Sequence, residues 1–81
     1  MKVELQMYAV ARQLAGRSVV AIELPDSATV GQLRSALVEA VPALAPLAPR
    51  LMFAVAADYA RDDAQIPEGA EVACIPPVSG G

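Results

Sequence analysis

The 81-residue chain contains no histidine, which removes the commonest general base and metal ligand. It has a single cysteine, Cys74, so an intrachain disulfide and a cysteine metal cluster are both excluded. Cys74 sits in the apolar run VACI with no imidazole to activate it, and it reads as a buried structural thiol. Basic residues are few. Lys2, Arg12, Arg17, Arg34, Arg50 and Arg61 are scattered, and the nine acids bring the net charge to −3 with a pI near 4.6. That balance argues against a binder of nucleic-acid backbones. Aromatic residues are limited to Phe53, Tyr8 and Tyr59. The apolar fraction is 56%, yet 17 of those residues are alanine, so core bulk must come from Leu, Val, Ile and Met. No run approaches the ~20 apolar residues of a membrane span. The first residues start a strand pattern and lack the charged-then-apolar layout of a signal peptide. The expected setting is reducing and cytoplasmic, and the expected organisation is one small domain. A chain with no nucleophile–base pair is poorly equipped to catalyse a reaction alone.

What is present reads in order as alternating and helical segments. Val3 to Val10 alternates, with Val3, Leu5, Met7 and Ala9 on one face and Glu4, Gln6, Tyr8 and Val10 on the other, as in a half-buried strand. Ala11 to Ala15 suits a helical turn closed by Gly16. Ser18 to Leu24 is rich in β-branched residues and predicts a second strand, antiparallel to the first. Thr29 and Gln32 have capping-box spacing. Val30, Leu33, Leu37, Ala40 and Val41 then recur at helical spacing until Pro42 stops the helix. Ala43 to Arg50 is a proline-interrupted connection. Leu51 to Ala56 is apolar throughout, as in a strand that is central or covered on both faces. Ala57-Asp58 turns the chain into a short edge strand at Tyr59-Ala60. Arg61-Asp62-Asp63 reads as a solvated turn, two adjacent carboxylates being a poor cation site. Glu71 to Ile75 is the last strand. This order predicts an α+β domain over residues 1–75: a β-grasp, in which a mixed sheet of four to five strands carries one main helix on one face. The first and last strands would lie parallel in the middle. The uncovered face is then a candidate partner surface.

Residues 76–81, PPVSGG, form an extended tail without a charged side chain. Pro76 and Pro77 fix φ and lack backbone N–H groups, so they end the strand and stiffen its exit. Val78 and Ser79 are small. Gly80 and Gly81 have no Cβ, so the walls of a partner's active site can close on their backbone. Six extended residues reach roughly 20 Å. The functional group at the tip is the carboxylate of Gly81.

With these features in place, the sequence resembles the ubiquitin-like sulfur carriers, and within them the small subunits of molybdopterin synthase (the MoaD-like family). KVELQMYAVARQLAG is similar to that family's first strand and following Ala-x-x-Arg segment, here Ala9 and Arg12. TVGQLRSALVEAVPAL is similar to its capped helix, and EGAEVACIPPVSGG to its last turn, strand and tail. Three positions depart from the pattern: Ala56 stands where Asn is usual, Glu68-Gly69-Ala70 replaces Asp-Gly-Asp, and Gln13 stands where an acid is common. The resemblance implies that an adenylating activating enzyme uses ATP on the Gly81 carboxylate and that a sulfur donor converts it to a thiocarboxylate. The large subunit of molybdopterin synthase would then receive the tail, in a heterotetramer, and sulfur would pass to a cyclic pyranopterin precursor of the molybdenum cofactor. On this reading Gly81 bears the sulfur, Gly80 gives clearance, and Pro76, Pro77, Val78 and Ser79 thread the partner. Ile75 and Arg12 are candidate partner contacts. The protein would contribute no catalytic side chain and hold no metal or permanent cofactor. Three alternatives stay open: a carrier for thiamine or cysteine synthesis, a modifier joined to target lysines, and a β-grasp interaction domain with an inert tail.

Overall fold

The structure, a computed structural model, describes residues 1–77. A five-stranded mixed sheet has the spatial order β2-β1-β5-β3-β4, where β1 is Lys2–Met7, β2 Val19–Glu23, β3 Met52–Val55, β4 Asp58–Ala60 and β5 Val72–Ile75. β1 and β5 run parallel, with Leu5 beside Val72 and Met7 beside Cys74, and the other pairs are antiparallel. The β-grasp expectation therefore holds, with β5 as the central strand.

Alternation decides which side of the sheet is covered. Val3, Leu5 and Met7 of β1, Val20 and Ile22 of β2, Phe53 of β3, and Val72 and Cys74 of β5 are buried. Helix α2 (Val30–Ala40) lies on that face and buries Val30, Leu33 and Leu37, with Val41 following them. Ala40, expected on the same stripe, is exposed. Each fully buried leucine stabilises the fold by about 1.5–3 kcal/mol relative to an exposed one. A shorter helix, α1 (Ala9–Ala15), joins β1 to β2 and buries Ala11. It begins two residues before the expected turn, because the chain leaves the strand at Tyr8 and Ala9 takes a left-handed φ of 51°. Gly16 closes α1 with φ 76°, as its sequence position predicts. The proline-rich connection holds two short 3₁₀ helices, Pro42–Leu44 and Ala48–Arg50.

The amino end of α2 shows how a loop and a helix satisfy one another. Thr29 Oγ1 accepts from the Gln32 backbone N–H at 3.3 Å, and Gln32 Oε1 accepts from the Thr29 N–H at 2.8 Å, so the capping box is formed. The next free donors, Val30 and Gly31 N–H, bond to the carbonyls of Ala64 and Asp62 at 3.0 and 2.9 Å. Backbone groups that a helix start leaves open are thus closed by residues 62–64. Arg34, one turn on, ties this loop and a second segment, residues 48–51, to the helix. Its Nη1 donates to the carbonyls of Ala48 and Leu51 at 2.5 and 2.6 Å, its Nη2 meets Asp62 Oδ1 at 2.8 Å, and its guanidinium lies 5.0 Å from the centre of the Phe53 ring. The carbonyl bonds carry most of this, because Asp62 is mostly exposed and an exposed ion pair adds little.

The β3–β4 hairpin closes on two residues, Ala56 and Ala57, with φ of 51° and 73°. Both central residues are left-handed, the conformation of a type I′ turn, which Asn-Gly suits and alanine does not. Left-handed alanine costs roughly 1–2 kcal/mol, partly offset on substitution by the greater freedom of glycine in the unfolded chain. Ala57→Gly is therefore expected to raise stability by about 0.5–1 kcal/mol. Ala45→Gly, at an exposed position with φ −52°, should lower it by a similar amount. Urea midpoints measure both; no gain at residue 57 contradicts the turn assignment.

Candidate functional site

The site begins where β5 ends. Ile75 is half-buried and pairs with Met52 of β3; Pro76 is buried and Pro77 half-buried. The central strand is held by neighbours on both sides, and it passes into two residues of restricted φ. Pro76 thus follows a strand that is paired on both sides. The expectations placed on Val78, Ser79, Gly80 and Gly81 lie outside the described residues.

Around this exit the uncovered face of the sheet is apolar. Gln6, Ala73, Ala54 and Tyr59 form one row across β1, β5, β3 and β4. Met52 and Ile75 form the next row toward the exit. Tyr8 follows β1 in extended conformation at the same end. Tyr8, Met52 and Tyr59 expose 51%, 48% and 64% of their surface, which marks the patch as unfilled in the isolated chain. The other end of this face carries charge instead: Lys2, Glu4 and Glu71 are exposed. An apolar surface thus borders the tail, and a charged one lies away from it.

This arrangement decides between two expectations. Residues 51–56 were expected to form a strand central in the sheet or covered on both faces; β3 is interior, between β5 and β4, and only one of its faces is covered. Leu51 and Phe53 are buried, while Met52 is exposed. The run is apolar throughout because its two faces serve a core and an open surface, each apolar for its own reason. Met52, Tyr8 and Tyr59 were not singled out from sequence; the alternation of β1 and of β3 was the signal that could have found them.

Of the two candidate contacts, Ile75 lies at the exit. Arg12 is exposed in the last turn of α1, where its carbonyl accepts from Gly16 N–H at 3.0 Å. α1 contacts β5, so Arg12 belongs to the same end of the sheet. Arg12 and Arg17 line a shallow depression with Ala9 and Gln13. Among the described residues no group of three His, Cys, Asp or Glu could hold a metal ion, and no helix is long and apolar enough to cross a membrane.

Cys74 faces the core beside Phe53 and is fully buried. Burial pushes its thiol up from 9.0 to about 11, against a smaller opposing pull from Arg34. The thiolate needed for nucleophilic chemistry is therefore suppressed at neutral pH. At pH 8 the native protein should resist iodoacetamide and react fully once unfolded in urea. The thiol ionises near 9.0 in the unfolded chain and near 11 in the folded one, so above pH 9 the unfolded state binds fewer protons. Stability should fall between pH 9 and 11, by on the order of 1–3 kcal/mol, and Cys74→Ala should lack this component. Rapid labelling of the native protein, or an unchanged pH slope in the variant, contradicts the assignment.

Comparison with known proteins gives consistent likenesses. The profile of the ThiS family matches residues 5–81. The molybdopterin synthase sulfur carrier subunit of Chlamydomonas reinhardtii is 35% identical over 83 residues, covering 100% of both chains. Among solved structures, SAMP1 from Haloferax volcanii, a small archaeal modifier protein, superposes with a TM-score of 0.86 at 29% identity and full coverage of both chains. A putative molybdopterin converting factor, subunit 1, from Pyrococcus furiosus gives 0.84 at 28% identity, with 96% of this chain and 99% of that chain covered.

Proposed function

Because the chain belongs to the ThiS family, we propose that it is a sulfur carrier serving molybdopterin synthase, and that its reactive group is the Gly81 carboxylate. The observation that supports this reading best is the end-to-end likeness to a sulfur carrier subunit, tail included. The chemistry follows from the weakness of a carboxylate as an acylating group. In an activating enzyme, the carboxylate oxygen attacks the α-phosphorus of ATP and releases pyrophosphate, leaving an acyl-adenylate. A persulfide sulfur then attacks the acyl carbon and AMP departs. Cleavage of the resulting S–S bond by a second thiol frees the thiocarboxylate. Every acid, base and metal for these steps comes from the partners.

The chain's own contribution is reach and docking. Pro76 and Pro77 direct the tail away from β5, and Gly80 and Gly81 leave the acyl carbon open to attack. The apolar surface of Tyr8, Met52, Tyr59 and Ile75 suits the large synthase subunit, since its burial would set the tail at the mouth of that subunit's active site. The recipient there is a cyclic pyranopterin precursor, which gains its dithiolene sulfurs from two carriers in turn. The likeness to a small archaeal modifier protein favours a second reading, conjugation of Gly81 to target lysines. Lysine-linked conjugates in cells would mark it.

Incubation with ATP, a cognate activating enzyme and a sulfur donor should raise the intact mass by the difference between sulfur and oxygen. Deletion of Gly81 should abolish that gain, and Gly81→Ala should slow it while leaving the thermal melt unchanged. Met52→Asp, at an exposed position, should weaken binding to the large subunit at least tenfold, about 1.4 kcal/mol, without preventing thiocarboxylate formation. No mass gain with an activating enzyme proven on its own carrier would overturn the carrier reading.

A further inference from the structure

Among the described residues strand β2 pairs only with β1, which leaves its other side as a sheet edge. Which backbone groups point outward follows from the ladder. Met7 N–H bonds to the Ser18 carbonyl at 2.8 Å, and Leu24 N–H to the Met1 carbonyl at 2.8 Å. In an antiparallel pair, hydrogen-bonded and non-bonded positions alternate. Ser18, Val20, Ile22 and Leu24 therefore turn their backbone groups to β1, and Val19, Ala21 and Glu23 turn theirs outward; Arg17 precedes the strand in a bend. Natural edges are usually blunted by proline, lysine, a bulge or shortness. The opposite edge, β4, has only three residues. β2 has five, VVAIE, and carries none of these devices.

We propose that this edge is a self-pairing surface, on which β2 of a second copy adds in antiparallel orientation to give a continuous ten-stranded sheet. The argument for a second copy is self-complementarity. A two-fold axis beside Val20 sets Val19 opposite Ala21, and Arg17 opposite Glu23, with each pair occurring twice. Val19 and Ala21 of each strand then meet Ala21 and Val19 of the other with matched backbone donors and acceptors, and the side chains of Arg17 and Glu23 face each other. Neighbouring registers are worse. Shifting the sum of paired numbers up by two sets Arg17 opposite Pro25 and Glu23 opposite Val19, so both charged pairs are lost. Shifting it down by two places Glu23 opposite Ala15, inside α1, beyond the left-handed Gly16. Among the described residues neither Arg17 nor Glu23 has an ion-pair partner within the chain, and both are exposed. Lys2 lies beside Glu23 on β1, so Glu23 would sit between two cations. An isologous contact of this kind closes at two copies.

The arrangement leaves the other surfaces free. β1 and β5 are parallel to each other and antiparallel to their counterparts across the axis, so the two tails leave at opposite ends of the joined sheet. Met52 and Ile75 lie on β3 and β5, away from the joined edge. One strand pair buries less than the ~1,200 Å² of a standard interface, so the association is weak and concentration-dependent.

Sedimentation equilibrium from about 10 µM to 1 mM should show the native chain passing from monomer toward dimer. Arg17→Glu or Glu23→Arg alone should weaken the association about tenfold or more, because both cross-strand pairs become repulsive, and the double swap should restore it. Thermal melts check that all three variants fold. At high concentration, hydrogen exchange should slow at the amides of Val19, Ala21 and Glu23. Ala21→Pro, which removes an outward N–H at an exposed position, should abolish both effects. A monomer at about 1 mM, dimerisation indifferent to the single swaps, or a double swap that fails to restore it would each overturn the proposal.

Discussion

The parallel pairing of β1 with β5 is the contact on which the rest of the molecule depends. It joins the two ends of the described chain at the centre of the sheet, Leu5 to Val72 and Met7 to Cys74. A parallel pair cannot be closed by a hairpin, so the intervening chain must cross over, and α2 is that crossover. The largest buried side chains, Phe53, Leu5, Leu33, Leu37 and Leu44, gather between the crossover and the pair. The same pairing fixes where β5 ends and Pro76 begins. A segment launched from the middle of a sheet, with a strand on either side, has its origin set by two ladders rather than by a mobile loop.

The distribution of polar groups follows from that design. The face under α2 is closed and apolar, and among the described residues it leaves no buried side-chain polar atom without a partner. Among the described residues Arg34 is the charged side chain that reaches inward, and it does so to tie residues 48–51 and Asp62 to the helix. The open face divides into an apolar end by the exit of β5 and a charged end away from it. A carrier that leaves catalysis to others needs little more than an anchored exit, a docking surface and an accessible carbonyl carbon.

Much of this was legible in the sequence because local chemistry and global fold agree there. Thr29 and Gln32 announce the start of α2, Pro42 its end, and the alternation of Val3, Leu5 and Met7 the covered face of β1. Legibility failed where an apolar residue has two reasons to be apolar. Met52 and Phe53 are neighbours of similar hydrophobicity, yet one faces solvent and the other the core. It failed again at Ala56-Ala57, where the backbone is left-handed but the residues carry no sign of it. The Asn usual at residue 56 in the family would have served that conformation. Asp62 was read as part of a solvated turn and Arg34 as one of the scattered basic residues, since neither composition nor periodicity shows that a helix and a distant loop will meet. The tail was legible as composition and reach alone, and Gly80 and Gly81 lie outside the described residues.

The most direct test of the carrier assignment is transfer. Thiocarboxylated protein, prepared enzymatically, would be mixed separately with the large subunit of molybdopterin synthase plus its pterin precursor and with a thiazole synthase plus its substrates. The account predicts loss of sulfur from Gly81 and appearance of the dithiolene product in the first mixture only. Sulfur transfer in the thiazole mixture, with none to the pterin, would contradict it.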